Sequence, residues 1–140
     1  MHRSSMLTSD KEMTSSNVLS LIDRLEKDAK GSLTTILILG IIKKEGKTWG
    51  YQIKKTLKTI TQGDSYIKDS SLYTSLRNLE VNYKLIKSEI KERRRYYSLT
   101  ELGLREIDQI YKYWQNLVQV GTEAFEKLNF PIENDKRRNE

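Results

Sequence analysis

Three consecutive arginines, Arg93, Arg94 and Arg95, stand in the segment KERRRYYSLTELG, residues 91–103. Arginine carries a planar set of N–H donors that matches phosphate, and clustered cations favour a polyanion, either nucleic acid or an acidic membrane surface. Alternating apolar residues follow the run and indicate a β-strand anchored to a core. The alternative interpretation is an exposed charge run that has no partner.

A second set of polar side chains lies on a helix predicted over residues 70–82. On one face, Leu72, Leu76 and Leu79 recur at i, i+4 and i+7 and would pack on a core. The opposite face carries short polar or cationic side chains beside Val81, namely Ser70, Thr74, Arg77 and Asn78. An α-helix fits the major groove of DNA, where such side chains can reach base edges. We therefore expect this helix to read bases and the arginines to bind backbone phosphates.

The charge distribution agrees with this expectation. The net charge is +6, and residues 31–100 carry fourteen Lys and Arg against six Asp and Glu. Residues 1–30 are balanced at five of each, and residues 101–140 carry six against eight. The whole excess of positive charge therefore lies in the segment that holds both candidate elements, as a polyanion-binding surface requires.

Composition argues against several other classes of protein. The chain has no Cys, which excludes a disulfide framework and a thiolate metal site. No apolar run approaches the ~18 residues of a membrane span, so we expect a cytoplasmic, nucleoid-associated protein that does not bind membranes. The sole His is His2, and no Gly-rich phosphate loop precedes a helix, so we expect neither catalysis nor a cofactor.

Four other helices are predicted from the periodicity of apolar residues. The first runs from Ser15 or Ser16 to Gly31 as its C-cap, and the second, apolar almost all round, runs from Ser32 to Gly46. The remaining elements are a helix over 49–60 capped by Thr48, a turn over 61–69, a hairpin over 85–99 that turns near residues 91–93, and a helix from the N-cap Thr100 to just before Pro131. In the 70–82 helix the N-cap is expected at Asp69 or Ser70.

Three short helices followed by a hairpin is the order of a winged helix-turn-helix. The fold class is therefore mainly α (α+β), with an N-terminal helix and a long C-terminal dimerisation helix added to that unit. The expected organisation is an N-terminal tail and dimer-supporting helix (1–31), the DNA-binding domain (32–100), the dimerisation helix (101–130) and a flexible tail (131–140).

Three segments resemble the PadR-like family of transcriptional regulators, in order and at that family's spacing. WGYQIKKTL (49–57) resembles its H-G-Y helix, with Trp49 in place of the usual His. SSLYTSLRNLE (70–80) resembles its recognition helix, with Ser70 in place of Gly, and RRRYYSLTELG (93–103) resembles its wing strand and exit. The segment LEVNYKLI (79–86) departs from the pattern, because it has one more residue than usual and lacks the Gly that follows the recognition helix.

The resemblance implies roles for particular residues. Tyr73 would contact the DNA backbone, although a core tyrosine beside Leu76 is an equal alternative, and Ser71 would lie where helix N–H groups favour phosphate. Tyr51 and Trp49 are expected in the core or an interface, and one of Tyr96 and Tyr97 in the core. The candidate DNA-binding residues are Lys68, Ser70, Ser71, Tyr73, Thr74, Arg77, Asn78, Arg93, Arg94 and Arg95.

The last helix carries an apolar seam with alternating steps of three and four residues, typical of a helix–helix interface. Its members are Ile107, Ile110, Trp114, Leu117, Gly121, Ala124 and Leu128. We expect the seam to pair two subunits as a homodimer, with Leu21, Ile22 and Leu25 of the N-terminal helix joining the interface. Packing on the same chain is the alternative. Trp114 could also line a site for a small planar aromatic ligand, as in some relatives, although packing alone would explain it.

The sequence thus predicts a sequence-specific regulator, a repressor, that binds a pseudo-palindromic operator in double-stranded DNA as a homodimer. Two alternatives stay open. One is an architectural protein that coats DNA with little sequence preference, and the other is a winged-helix module whose basic face binds an acidic protein.

Overall fold

The computed structural model describes residues 7–61 and 68–129. The elements are α1 (Leu7–Glu45), β1 (Thr48–Trp49), α2 (Gly50–Ile60), α3 (Asp69–Arg77), β2 (Ile86–Lys91), β3 (Arg94–Leu99) and α4 (Glu101–Lys127), and a π-helical segment, Asn78–Asn82, continues α3. This is a winged helix-turn-helix, as the sequence predicts, and it has a long helix at each end. Most of the turn expected over 61–69, and the tail expected over 131–140, lie outside the described residues.

The two helices predicted on either side of Gly31 are one continuous helix, α1. The predicted start at Ser15 or Ser16, the C-cap at Gly31 and the N-cap at Ser32 are therefore wrong. A glycine inside a helix costs about 1 kcal/mol relative to alanine but removes no backbone hydrogen bond. The Thr35 hydroxyl donates to the Gly31 carbonyl oxygen at 2.9 Å, an i to i+4 contact typical of an unbroken helix.

α1 ends where the sequence predicts. Gly46 has a φ of +77°, the left-handed conformation that favours glycine after a helix, and its N–H donates to the Ile42 carbonyl at 2.8 Å. The predicted N-cap at Thr48 is wrong, because Thr48 and Trp49 form β1 and pair with Tyr97 and Tyr96 of β3. A two-residue strand is too short to give a period of its own, so the helix signal after it dominates the pattern.

The sheet is antiparallel in the order β1-β3-β2, and β2 and β3 form the predicted hairpin. Lys91 pairs with Arg94, so the turn is the two residues Glu92 and Arg93, with φ of +52° and +68°. Positive φ at both central residues is the geometry that matches the twist of a tight hairpin. The turn therefore projects Arg93 from the end of the sheet.

The extra residue between α3 and β2 is accommodated by the π-helical segment Asn78–Asn82. A π-helical turn closes a wider ring than an α-helical turn and so takes up one inserted residue without breaking the helix. Lys84 then adopts a φ of +56°, the conformation that a glycine would supply more readily. The departure from the family pattern in LEVNYKLI therefore has a specific structural consequence.

The start of α4 is fastened to the chain that enters β2. Thr100 is the N-cap as predicted, and its hydroxyl accepts from the Gly103 N–H at 3.0 Å. The same hydroxyl donates to the Lys84 carbonyl at 2.7 Å, and the Thr100 N–H donates to the Leu85 carbonyl at 3.0 Å. A Cβ on Gly103 would collide with the Leu85 carbonyl oxygen. Glycine is therefore required here for close backbone approach.

One apolar core joins the C-terminal part of α1, α2, α3, the sheet and the start of α4. It consists of Ile38, Leu39, Ile41, Ile42, Ile53, Leu57, Leu72, Leu76, Leu79, Ile86, Tyr97, Leu99 and Ile107. Tyr97 is buried and Tyr96 is partly exposed, which agrees with the predicted division of the two tyrosines. Across residues 7–61 and 68–129, no helix combines the length and apolar character needed to cross a bilayer.

Candidate nucleic-acid interface

The outer face of α3 is polar and open. Leu72 and Leu76 are at most 1% exposed and seat the helix on the core, which turns Ser70, Thr74 and Arg77 toward solvent. The Thr74 hydroxyl donates to the Ser70 carbonyl at 2.8 Å, and the Thr74 side chain is exposed. This face offers one cation and short polar groups, a composition that suits base edges in a major groove.

Tyr73 lies between the core position and the exposed position that the sequence left open. Its side chain is 50% exposed, yet its ring lies against the N-terminus of α2, because a Cβ built on Gly50 would stand 2.5 Å from the Tyr73 hydroxyl oxygen. Gly50 therefore leaves room for the ring, and the hydroxyl lies at the junction of α2 and α3. Neither a fully buried nor a fully free tyrosine describes this position.

An ion pair fixes α2 to the first turn of α3. The Lys54 ammonium lies 2.5 Å from the Asp69 carboxylate, whose residue begins α3 rather than capping it; the N-cap position is occupied by Lys68. The hydrogen bond and the charge of Asp69 raise the pKa of Lys54 above its usual value. This ion pair links α2 and α3 at the protein surface. The N-cap predicted at Asp69 or Ser70 is wrong by one or two residues.

Asn78 lies at the margin of the α3 face rather than at its centre. It sits in the π-helical segment, and its side-chain oxygen accepts from the Asn82 amide at 2.8 Å. It also lines a groove of about 650 Å³ together with Ser75 and, from α4, Trp114. Lys68 and Ser71, the other candidates on this helix, are exposed near its N-terminus.

The three wing arginines occupy three different environments. Arg93 lies in the turn, and the period of two along β3 sends Arg94 and Arg95 to opposite faces of the hairpin. Arg94 stacks on the ring of Trp49, with its guanidinium carbon 4.0 Å from the ring centroid. Arg95 donates to the Ser88 hydroxyl at 2.9 Å on the face that meets α3. The three consecutive arginines therefore make three different sets of contacts.

Sequence reasoning missed further exposed cations beside these residues. Lys87 and Lys91 of β2 lie on the same hairpin face as Arg94, and Lys55 and Lys58 are exposed on α2. The period of two in KSEIK could have identified the first pair. Glu89 shares the hairpin face with them but forms an ion pair with Lys47, which lowers the pKa of Glu89. Within the described chain, Lys87, Lys91 and Arg94 form no ion pair, so this face is cationic.

The predicted dimer seam divides into a packed part and an open part. Ile107 is 7% exposed and Ile110 packs against the core, so the seam begins with residues that pack on their own chain. Farther along α4 the side chains leave the core: Trp114 and Gly121 are partly exposed, and Leu117, Ala124 and Leu128 are exposed. On α1, the three predicted interface residues Leu21, Ile22 and Leu25 are 50–57% exposed.

Solved structures of transcriptional regulators are similar to this chain. One from Clostridium thermocellum has a TM-score of 0.58 and 30% identity, over 64% of this chain and 87% of its own. A PadR family transcription regulator from Clostridium difficile has a TM-score of 0.54 and 26% identity, over 66% of this chain and 97% of its own. The uncharacterised protein X of Lysinibacillus sphaericus is 26% identical over 101 residues, 65% of this chain and 85% of that protein.

The exposed helix, the cationic wing and these likenesses define a transcription regulator with a DNA-binding winged-helix fold. A model of the PadR-like family of transcriptional regulators matches residues 38–109, just over half of the chain, from the buried part of α1 to the start of α4. The chain therefore belongs to the PadR-like family, as the three sequence motifs indicate.

Proposed function

We propose that this protein is a homodimeric repressor that binds a pseudo-palindromic operator in double-stranded DNA. The observation that carries the proposal is the placement of Ser70, Thr74 and Arg77 on one open helix face with a cationic hairpin beside it. In this arrangement α3 enters the major groove and the wing lies along the phosphate backbone. Repression follows if the operator overlaps a promoter, because the bound dimer then excludes the polymerase.

The DNA-binding residues would act in two groups. On α3, Thr74 and Arg77 would contact base edges, with Tyr73 at the adjoining backbone. On the wing, Arg93 and Arg94 would bind phosphates and contribute affinity without sequence preference. Asn78 stays a candidate at the margin of the face, where its bond to Asn82 would have to break or rotate for base contact.

The open part of the seam supports the proposed dimer. Leu117 and Leu128 of α4 are 49% and 68% exposed in the single subunit, and Leu21 and Leu25 of α1 are 54% and 57% exposed. A partner subunit would cover both surfaces and place two reading helices about one helical turn of DNA apart. The matching operator is then a rough palindrome, because the subunits are identical.

The first experiment tests DNA recognition. The purified protein is used to select duplexes from a random pool, and binding of selected and scrambled duplexes is compared by fluorescence anisotropy at several salt concentrations. A regulator should prefer its selected site by about a thousandfold or more. Equal affinity for both duplexes would instead identify an architectural coat, and no binding at low salt would favour a module that binds an acidic protein.

Two variants separate base reading from phosphate binding. Arg77→Ala should change the selected sequence, whereas Arg93→Ala should weaken all duplexes alike and reduce the salt dependence by about one contact per subunit. Arg105→Ala removes an equal charge from an exposed position on α4, outside both α3 and the hairpin, and serves as the control. Loss of preference in Arg105→Ala as well would contradict the assignment to α3.

Sedimentation equilibrium tests the dimer. Leu117→Glu or Leu25→Glu should shift the protein to single chains, because each would bury a charge in the proposed interface. Leu104→Glu is the matched control, since Leu104 is 59% exposed on α4 but lies off the seam. An unmodified protein that sediments as one chain at all concentrations would overturn the dimer while leaving DNA binding by the single module open.

The groove beside Trp114 supports a secondary proposal, a small planar aromatic ligand. Apolar side chains from α1 and α4, including Ile36, Leu39 and Leu117, line it together with Tyr113. In a Trp49→Phe variant Trp114 is the sole tryptophan, so quenching of its fluorescence by a small planar aromatic probe reports occupancy of the groove. Fluorescence that does not change up to millimolar probe would exclude this ligand class.

A further inference from the structure

Arg94 and Trp49 form a stacked pair on the outer face of the wing. The guanidinium carbon of Arg94 lies 4.0 Å from the Trp49 ring centroid. The Trp49 ring in turn lies 5.4 Å from the ring of Tyr51 at an interplanar angle of 37°. The arginine is therefore held on an aromatic support that reaches from β1 to the first turn of α2.

The sheet register explains why these residues meet. Trp49 pairs with Tyr96 across β1 and β3, and Arg94 lies two residues from Tyr96 along β3. Side chains two residues apart on a strand share a face, so Arg94 can extend along the sheet to the ring of Trp49. The pairing of β1 with β3 thus places Trp49 beside the wing.

Stacking and phosphate binding use different parts of a guanidinium group. The flat face lies on the indole, while the N–H donors point outward in the plane of the group and remain able to form a bidentate contact with phosphate. An unsupported arginine samples many rotamers and loses that freedom when it binds. An arginine already fixed on a ring has less freedom to lose.

We propose that Trp49 is a positioning residue that holds Arg94 flat on the wing, with the N–H edge of its guanidinium presented to a DNA phosphate. The inference rests on the proposed function, because it assigns one of the contacts of the wing with DNA. It also gives a physical role to the departure at this position, where the family motif has His. The larger indole face is the better support for a guanidinium group.

The surroundings of the pair favour presentation to an anion. Arg94 is exposed, and it shares its hairpin face with Lys87 and Lys91. The carboxylate on this face, Glu89, is already engaged with Lys47. The stacked arginine therefore adds to a positive surface instead of being neutralised within the wing.

The opposite role predicts the opposite result. If stacking on Trp49 withdrew Arg94 from DNA, removing the ring would release the arginine and strengthen binding. If loss of the Trp49 ring weakens binding, the ring presents Arg94 to DNA. If it strengthens binding, the ring withholds Arg94 from DNA.

A double-mutant cycle in the full-length protein tests the proposal. Trp49→Leu, Arg94→Ala and the combined variant are compared with the unmodified protein by anisotropy on the selected duplex, with the salt dependence measured for each. Trp49→Leu should weaken binding about two- to tenfold per subunit, the scale of ordering one long side chain. In the Arg94→Ala background the same substitution should have no further effect, and Trp49→Phe should retain most of the affinity.

Each other outcome has a defined meaning. Unchanged or tighter binding by Trp49→Leu, or an equal loss with and without Arg94, overturns the positioning role. Failure of the unmodified protein to bind DNA would overturn the proposed function itself and this inference with it. Thermal unfolding measurements on every variant exclude misfolding, and Trp49→Met, which also lacks an aromatic ring, supplies the test if Trp49→Leu does not fold.

Discussion

The Ser88 hydroxyl of β2 donates a 2.6 Å hydrogen bond to the Glu80 carboxylate in the π-helical continuation of α3. Arg95 of β3 donates to the same hydroxyl at 2.9 Å. Two consecutive hydrogen bonds through Ser88 therefore join the hairpin to the π-helical continuation of α3. Arg95, expected from the sequence to bind phosphate, is also part of this internal contact.

Glu80→Ala should destabilise the fold by about 1 kcal/mol, because the hydroxyl of Ser88 loses its acceptor. Ser88→Ala should cost a similar amount, and the two substitutions together should cost clearly less than the two separate losses, since both remove one contact. Urea unfolding measures all three. Fully additive losses would show that the side chains act independently.

Gly103→Ala should destabilise the protein by about 1–3 kcal/mol, the cost of overpacking a well-fitted contact. The added methyl group would meet the carbonyl oxygen of Leu85, which is backbone and is itself bonded to Thr100. Thermal and urea unfolding of the variant measure the loss. Stability equal to that of the unmodified protein would mean that α4 does not begin against Leu85.

Gly31→Ala is the matched substitution with the opposite expectation. Gly31 lies within α1 with open space around its Cβ position, so alanine should stabilise the helix by about 1 kcal/mol. The same substitution would be unfavourable if Gly31 were a left-handed C-cap, as the sequence suggests. An increase in unfolding temperature therefore supports the continuous helix, and a decrease supports a break.

Lys84→Gly should stabilise the fold by about 1 kcal/mol. Lys84 has a φ of +56°, a conformation that costs a residue with a Cβ about 1–2 kcal/mol, while glycine gives back part of the gain through its more flexible unfolded chain. Lys84→Ala keeps the strain and should change stability little, which separates the backbone effect from the loss of charge. A larger increase in stability for Lys84→Ala than for Lys84→Gly would contradict this explanation.

The Lys47–Glu89 pair predicts a dependence of stability on pH. The hydrogen bond and charge of Lys47 lower the pKa of Glu89 below its usual 4.5, so the pair stabilises the fold above that pH. Its contribution is lost as the pH falls through the lowered pKa. Urea unfolding between pH 7 and 3 should show the unmodified protein and Glu89→Gln converging in acid. A difference that stays constant over the whole range would exclude this ion pair as the cause.

The larger elements could be predicted because their sequence patterns are either long or contain all the residues that define the element. The seam that gives α4 has a repeated period, Thr100 caps it in a recognisable sequence, and the hairpin alternates over two strands around a charged turn. The three motifs of the family lie within the same elements. The helix α3 and the β2–β3 hairpin were therefore located correctly from the residues alone.

The other structural details could not be predicted because the features that decide them have only a weak signal in a single sequence. A glycine such as Gly31 can end a helix or lie within it, and burial of the following residues, not the local pattern, decides between them. The π-helical segment and the hydrogen bond between Asn78 and Asn82 within it cannot be seen on a wheel drawn at 3.6 residues per turn. The three arginines look equivalent in the sequence, but the register of the hairpin with β1 and the proximity of Glu80 give each a different neighbour.

The continuity of α1 has a mechanical consequence. At a rise of about 1.5 Å per residue its 39 residues form a rod roughly 58 Å long. The C-terminal end of the rod packs in the core of the winged-helix unit through Ile38 and Ile42, and its middle carries the exposed side chains of Leu21 and Leu25. A partner that binds α1 around Leu21 and Leu25 therefore acts on the winged-helix unit through one continuous, stiff helix. If that partner is a second subunit, the stiffness of this helix sets the spacing and rotational phase of the two half-sites on DNA.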